Sequence, residues 1–418
     1  MKSIGLTSSI ILLIACFSTK FTFGQISQHL YQSLPDSLRP VDYKRLTLNE
    51  FQKVLINRST VKSWGAVEYH ELSSLCYQLG PRYITIANVQ DRLKFLLGIC
   101  GTLYDNDNLY SGRAVTATGR KGNYQTEHTN VVANIKYIDT YISELKKHRP
   151  TDKTELSRGY YLKSFFQFEN DDFTEAINSC QLGLAIAKES NNRFINKLYA
   201  QFAYFYNLLG LPTHSLVYCD SARATVSALP TIPSELVNSI STISSFKQRA
   251  YLSLFIRQPR SVYADSIRAI HKQISYDQYT KGRRKATSYI VLAGMNFYQQ
   301  NYKQTLAYLD SAQHTFPELH FLLLWQDGLV YKGVSLLRLG RKQEAKKVLE
   351  QLNFLNVHTP AITLALQELI SVEKQDQNRD KVLHYHDLLL AFTQRRHALE
   401  MQGKALEMTQ KYNLSTRD

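Results

Sequence analysis

Leu339-Gly340-Arg341-Lys342-Gln343-Glu344-Ala345-Lys346-Lys347-Val348-Leu349-Glu350 is the stretch that decides the fold. Gly340 interrupts one helical pattern, and a second begins at once with Ala345 and Leu349 on one face. The preceding helix supplies Gly333 and Leu336. The signature is therefore a small residue, another twelve positions later, an apolar one after four more, and a small or apolar one after three. Gly333, Ala345, Leu349 and Leu352 satisfy it. So do Ala293, Thr305, Leu309 and Ala312, with Pro317 as the stop; Ala203, Ser215, Cys219 and Ala222; and Ser164, Ala176, Cys180 and Gly183. Weaker copies are Ala250, Val262, Ser266 and Ala269, and Ile370, Val382, His386 and Leu389. Helix pairing explains the spacing, because a small residue on the first helix lets the second approach closely. Turn-forming residues fall where each pair must bend, at Asn170-Asp171-Asp172, Gly210-Leu211-Pro212, Gln258-Pro259, Gln300-Asn301 and Gly340. Each pair leaves an apolar face that only the next pair can cover.

Composition agrees. The 418 residues include only 18 Gly and 10 Pro, far below the roughly 12% expected of an average soluble chain. So few turn residues disfavour a many-stranded sandwich or barrel. Hydrophobic residues at 44%, with 27 Tyr and 19 Phe, supply a core and exclude global disorder.

These residues resemble the tetratricopeptide repeat (TPR), whose consensus has the same small positions, a Gly or Asn turn, a central Ala and a closing Pro. The resemblance covers about residues 154 to 395. It implies an all-α, TPR-like α-α superhelix, a solenoid of helical hairpins. The central positions 176, 215, 262, 305, 345 and 382 lie 37 to 47 apart where the family has 34, which implies longer helices or loops. Cys180 and Cys219 occupy equivalent places on successive second helices; buried thiols are the expectation, with a bridge as the alternative.

Around the repeats, Leu48 to Ile56, Val67 to Leu79, Ile86 to Leu103 and Thr129 to Lys147 read as helices, and Tyr104 to His128 as an exposed polar loop. The expected organisation is a signal segment over 1–24, a helical cap over 25–150, repeats over 151–393 and a separate C-terminal helix over 394–418. That last helix is expected to project or to pair with a partner helix.

Met1-Lys2-Ser3 followed by the apolar run from Ile4 to Cys16 has the length and flanks of a secretory signal, and is too short to span a bilayer at about 20 residues. Two processing sites compete. Cleavage after Gly24 leaves a soluble exported protein, periplasmic or in a bacterial cell envelope. Cleavage before Cys16, in the lipobox-like Leu13-Ile14-Ala15-Cys16, leaves a lipoprotein held at the membrane. The first is favoured, because Phe21 to Phe23 read as signal and not as tether.

No enzyme chemistry is legible. His70-Glu71-Leu72-Ser73-Ser74 begins like a zinc-protease motif but has Ser where the second imidazole must stand. His384 and His386 diverge by about 200° on a helix and cannot share a metal. No nucleophile elbow or phosphate-cradling loop occurs. Neither cofactor nor metal is expected.

In TPR proteins the first helices line the binding face. The resemblance places Tyr161, Phe165 and Phe168 there, then Ala200, Tyr204 and Asn207, then Lys247, Tyr251 and Leu254, with Arg158 and Lys197 one turn earlier. Rings interleaved with cations and an amide suit an extended protein or peptide segment. The Lys and Asn set with which family members clamp a peptide carboxylate is not reproduced.

The net charge of +15 is concentrated. Between Leu236 and Lys285 stand Lys247, Arg249, Arg257, Arg260, Arg268, Lys272, Lys281, Arg283, Arg284 and Lys285, against only Asp265 and Asp277. The excess reads as a basic patch for an acidic protein segment or an anionic envelope polymer, or as a solvated helix face. Export argues against nucleic acid. The chain also resembles the exported sensory half of certain bacterial signalling proteins, without their membrane span and output domain. The expected role is thus an exported, non-enzymatic interaction scaffold. The alternatives are a periplasmic sensory component or truncated relative, and an envelope-polymer or carbohydrate binder.

Overall fold

The computed structural model describes residues 32, 47–57, 66–110, 124–227, 234–276, 282–317, 319, 324–352, 354 and 360–415. The expected signal segment, with Cys16, lies outside them. Among the described residues every regular element is helical, and no helix is long and apolar enough to cross a membrane. The chain divides into two compact units, Met1–Gly112 with Gly122–Asn170, and Arg113–Lys121 with Asp171–Asp418.

The first unit contains α1 (Leu48–Asn57), α2 (Ala66–Leu79), a 3-10 turn (Gly80–Thr85), α3 (Val89–Tyr110), α4 (Tyr124–His148) and α5 (Lys153–Glu169). Thr47 and Glu50 form a reciprocal cap at the start of α1: the Thr47 amide donates to Glu50 Oε2 at 2.8 Å and the Glu50 amide to Thr47 Oγ1 at 3.3 Å. Phe51 meets Phe95 edge-on, with ring centres 5.9 Å apart, and both are fully buried. Arg92 of α3 donates to Glu144 of α4 at 2.6 and 2.8 Å. Of the expected loop from Tyr104 to His128, both ends are helical, and residues 111–123 lie outside the described residues. α3 runs on to Tyr110 and α4 begins at Tyr124. Once Leu93 to Leu103 have packed, each further residue adds a helical bond at little cost, so the polar run is carried along.

The second unit contains α6 (Phe173–Glu189), α7 (Phe194–Leu208), α8 (Pro212–Ser227), α9 (Ser234–Arg257), α10 (Ser261–Tyr276), α11 (Gly282–Tyr298), α12 (Tyr302–Thr315), α13 (Trp325–Arg338), α14 (Lys342–Leu349), α15 (Ile362–Gln375) and α16 (Arg379–Ser415). From α7 onward they form five antiparallel pairs, and the turns share one geometry in four of them. Gly210, Gln300, Gly340 and Gln377 have φ of +74°, +61°, +78° and +55°. The amide after each donates back five residues, as from Leu211 to Tyr206 at 2.8 Å and from Arg341 to Leu336 at 2.9 Å. That is a Schellman stop, which closes the exposed carbonyls of the first helix.

The small positions do what their spacing implies. Ser215 Oγ donates to the Ala203 carbonyl at 2.8 Å, and Thr305 Oγ1 to the Ala293 carbonyl at 3.4 Å. A β-carbon on Gly333 would collide with Leu349 of the paired helix. In the two weak copies the register differs from the sequence reading. Val262 is 58% exposed, and Ala264 and Ile267 fill the seam instead, because the turn through Pro259 sets the start of α10 later. In the last pair His386 is exposed and Tyr385 is buried.

The largest difference concerns the C-terminus. No separate helix begins at 394; α16 runs unbroken for 37 residues from Arg379. It does not project. Phe392 and Leu399 are buried, and Gly403 lies against Leu209 and Leu211, in the turn between α7 and α8. At about 1.5 Å per residue, α16 crosses roughly 35 Å from its partner α15 to that turn.

Candidate functional site

The residues expected to bind fall into both units, and each unit is described by itself. In the first, Phe165 and Phe168 are buried. Tyr104 of α3 packs on Phe165 with ring centres 4.7 Å apart, and its hydroxyl meets that of Tyr161 at 2.5 Å. Arg158 sits 3.7 Å from Glu155. Phe165 and Phe168 thus serve the core of their own unit, while Tyr161 and Arg158 are held by neighbours.

In the second unit α7 and α9 bring five of the expected residues onto one face. Tyr204 packs on Phe246 at 5.5 Å between ring centres, and Asn207 Nδ2 donates to the Phe246 carbonyl at 2.9 Å. Lys197 lies 5.2 Å from the Phe194 ring. Lys247 pairs with Asp220 of α8 at 2.6 Å, and Tyr251 faces Tyr263 at 6.3 Å. All five side chains are half-buried.

The same inner positions change character along the array. On α7 (200, 204, 207) and α9 (247, 251, 254) they stay partly exposed. On α11 their counterparts Ile290, Gly294 and Phe297 are buried; on α13 Val330 and Val334 are buried and Leu337 stays partly exposed. A β-carbon on Gly294 would stand 2.9 Å from Tyr331 and 3.1 Å from Leu252, so the first helices close on one another there.

The expected basic residues are carried by several elements. Arg257 Nη2 donates to the Gly210 carbonyl at 2.6 Å, and Arg396 of α16 approaches the same turn. Arg260 is exposed in the turn before α10. Arg283, Arg284 and Lys285 occupy the first turn of α11, the positive end of its macrodipole, where cations are disfavoured by roughly 0.3–1 kcal/mol each. Lys281 lies outside the described residues, as do the side chains of His70 and Glu71.

One charged residue on this face escaped the sequence reading. Asp327, in the first turn of α13, is 9% exposed, and burial pushes its carboxyl up to about 7 against the opposing influence of Arg249 and Arg396. Burial first, and the Asp327 carboxyl second, push the hydroxyl of Tyr298 up to about 12. A signal existed: Asp327 is the single acid among Trp325, Gly328, Leu329, Val330 and Tyr331, one turn before an inner position. Cys180 and Cys219 are buried thiols, not joined in a disulfide, directed at the carbonyls of Leu198 and Ile243, at 3.6 and 3.7 Å.

Antiparallel pairs, Schellman stops and close-packed small positions define an all-α array of helical hairpins with TPR-like packing. Two solved structures align along most of the chain. A Rap protein complexed with competence and sporulation factor covers 84% of this chain and 98% of its own, at 12% identity and a TM-score of 0.49. The apo form of the quorum sensor NprR from B. thuringiensis covers 87% and 97%, at 12% identity and a TM-score of 0.46. No family model matches the sequence, and no curated protein matches it.

Proposed function

We propose that this protein is a non-enzymatic recognition scaffold that captures an extended protein or peptide segment on the inner face of α7 and α9. The observation that carries the reading is the partial exposure of that face, set against the fully buried counterparts on α11. Tyr204 and Tyr251 offer rings to apolar side chains, and the ion pair that fixes Lys247 and the hydrogen bond that Asn207 donates to the Phe246 carbonyl preorganise the surface. The cations opening α11 favour an acidic segment. Export belongs to the proposal and rests on the basic start and apolar run of residues 1–24; fusing that segment to a reporter active only outside the cytoplasm tests it.

Peptides selected from a random display library on the purified protein test the site. Tyr204→Ala and Tyr251→Ala should each weaken a selected peptide about tenfold, near 1.4 kcal/mol. Equal binding by both variants removes the site from consideration. Binding that vanishes with salt and ignores peptide sequence points to an anionic envelope polymer instead.

A further inference from the structure

α16 carries apolar residues on two opposite sides. Leu383, Leu390, Met401 and Met408 are 64%, 60%, 51% and 71% exposed. At about 100° per residue they fall within roughly 20° of a single line along the helix. Tyr385, Phe392, Leu399 and Gly403 occupy the opposite side and are buried. One apolar face is thus spent on the chain's own fold, and a second is open to solvent over about 38 Å.

We propose that this open line is a self-association surface, along which α16 of one copy packs antiparallel against α16 of a second copy. Symmetry selects the occupant. The intervals are seven, eleven and seven residues, so the pattern reads identically from either end, about a midpoint between Arg395 and Arg396. A two-fold interface requires a surface that is its own complement. Antiparallel pairing sets Leu383 against the second copy's Met408 and Leu390 against its Met401. Eighteen residues per five turns keep the line straight, which suits two uncoiled helices. Charge agrees. Within about 60° of the line, the first half carries Asp380 and Asp387 against Arg379, and the second half carries Lys404. The antiparallel arrangement opposes a net negative half to a net positive one, where a parallel arrangement would oppose like to like. A single helix pair falls below the ~1,200 Å² of a standard stable interface, so the dimer is reversible and forms at micromolar concentrations.

Sedimentation of the full chain should show mass rising from monomer to dimer as concentration increases, and Leu390→Glu with Met401→Glu should hold it monomeric. Both positions are exposed, and circular dichroism of the double variant should match the parent. Orientation is read by crosslinking in a Cys16→Ser background. Gln394→Cys, exposed and next to the two-fold midpoint, should link to itself with a short bis-maleimide. Leu383→Cys should not, because its two copies would stand about 38 Å apart. A chain that stays monomeric to hundreds of micromolar, or a dimer unaffected by the double variant, overturns the proposal. Equal linking at 383 and 394 overturns the antiparallel arrangement.

Discussion

Gly403 of α16 lies so close to Leu209 that a β-carbon on it would stand 3.1 Å from the Leu209 carbonyl oxygen. A glycine inside a helix costs roughly 1 kcal/mol relative to alanine, and here the missing side chain is what lets the helix end dock. Gly403→Leu should therefore release the C-terminal half of α16. Hydrogen exchange at 396–408 is the measurement, with protection expected to fall and global stability to drop by about 1–3 kcal/mol. Unchanged protection would mean that this contact does not hold the helix.

Asp327 makes stability depend on pH. Its carboxyl titrates near 3.8 when unfolded and about 7 when folded, so between those values the folded state holds a proton that the unfolded chain has lost. Its stabilising contribution is complete below pH 4 and gone once pH has risen through 7. Asp327→Asn should flatten that slope, and the difference between pH 5 and pH 8 should shrink by at most about 3 kcal/mol. Arg396→Gln should move the midpoint upward, since the guanidinium favours the charged form. Thermal melts across this range decide it, and a variant with the parent's slope would exclude Asp327 as the source.

The hairpin turns and seams yield opposite outcomes for glycine. Gly333→Ala gains helix propensity but collides with buried Leu349, and should cost about 1–3 kcal/mol. Gln300→Gly and Gln377→Gly relieve left-handed backbone at φ of +61° and +55°, and should each stabilise by roughly 0.5–1 kcal/mol. Denaturant midpoints for the three variants test this directly.

Glu373 is 1% exposed and faces Lys346 at 2.7 Å and Lys381 at 3.7 Å. Lys346→Met leaves a buried carboxylate with its more distant partner alone, and should cost about 3 kcal/mol. Replacing Glu373 by Leu in the same chain should recover most of the loss. A double variant no more stable than the single one would show that the carboxylate itself is not the cause.

Cys180 and Cys219 should resist alkylation until the protein unfolds. Burial pushes the Cys219 thiol up to about 12, leaving almost no thiolate at neutral pH. Mass spectrometry after iodoacetamide treatment, with and without denaturant, provides the readout. A mild oxidant should not join the two, since each thiol is directed at a carbonyl of the following first helix.

Most of the helix pairs could be read from the chain because their causes are local. Gly210 and Gly340 announce their turns, and the twelve-residue offset from Ala203 to Ser215 or Ala293 to Thr305 follows from two helices meeting at a small residue. Where the turn chemistry was unusual, the register was misread: Pro259 delays α10, so Ala264 fills the seam in place of Val262. Part of the proposed site was legible as well. The motif offset placed Tyr204, Asn207, Lys247 and Tyr251 on neighbouring helices, as the Asn207 bond to Phe246 requires.

The tertiary structure alone decided which of those positions stay open and where α16 goes. A 3.6-residue period marks the face a helix buries, never the element that covers it. Tyr385, Phe392 and Leu399 announce a buried side for α16, yet its docking at Leu209 joins segments nearly two hundred residues apart. The acid at 327 is plain in the sequence. Its burial beside Arg249 and Arg396 exists only once α9, α13 and α16 have packed together.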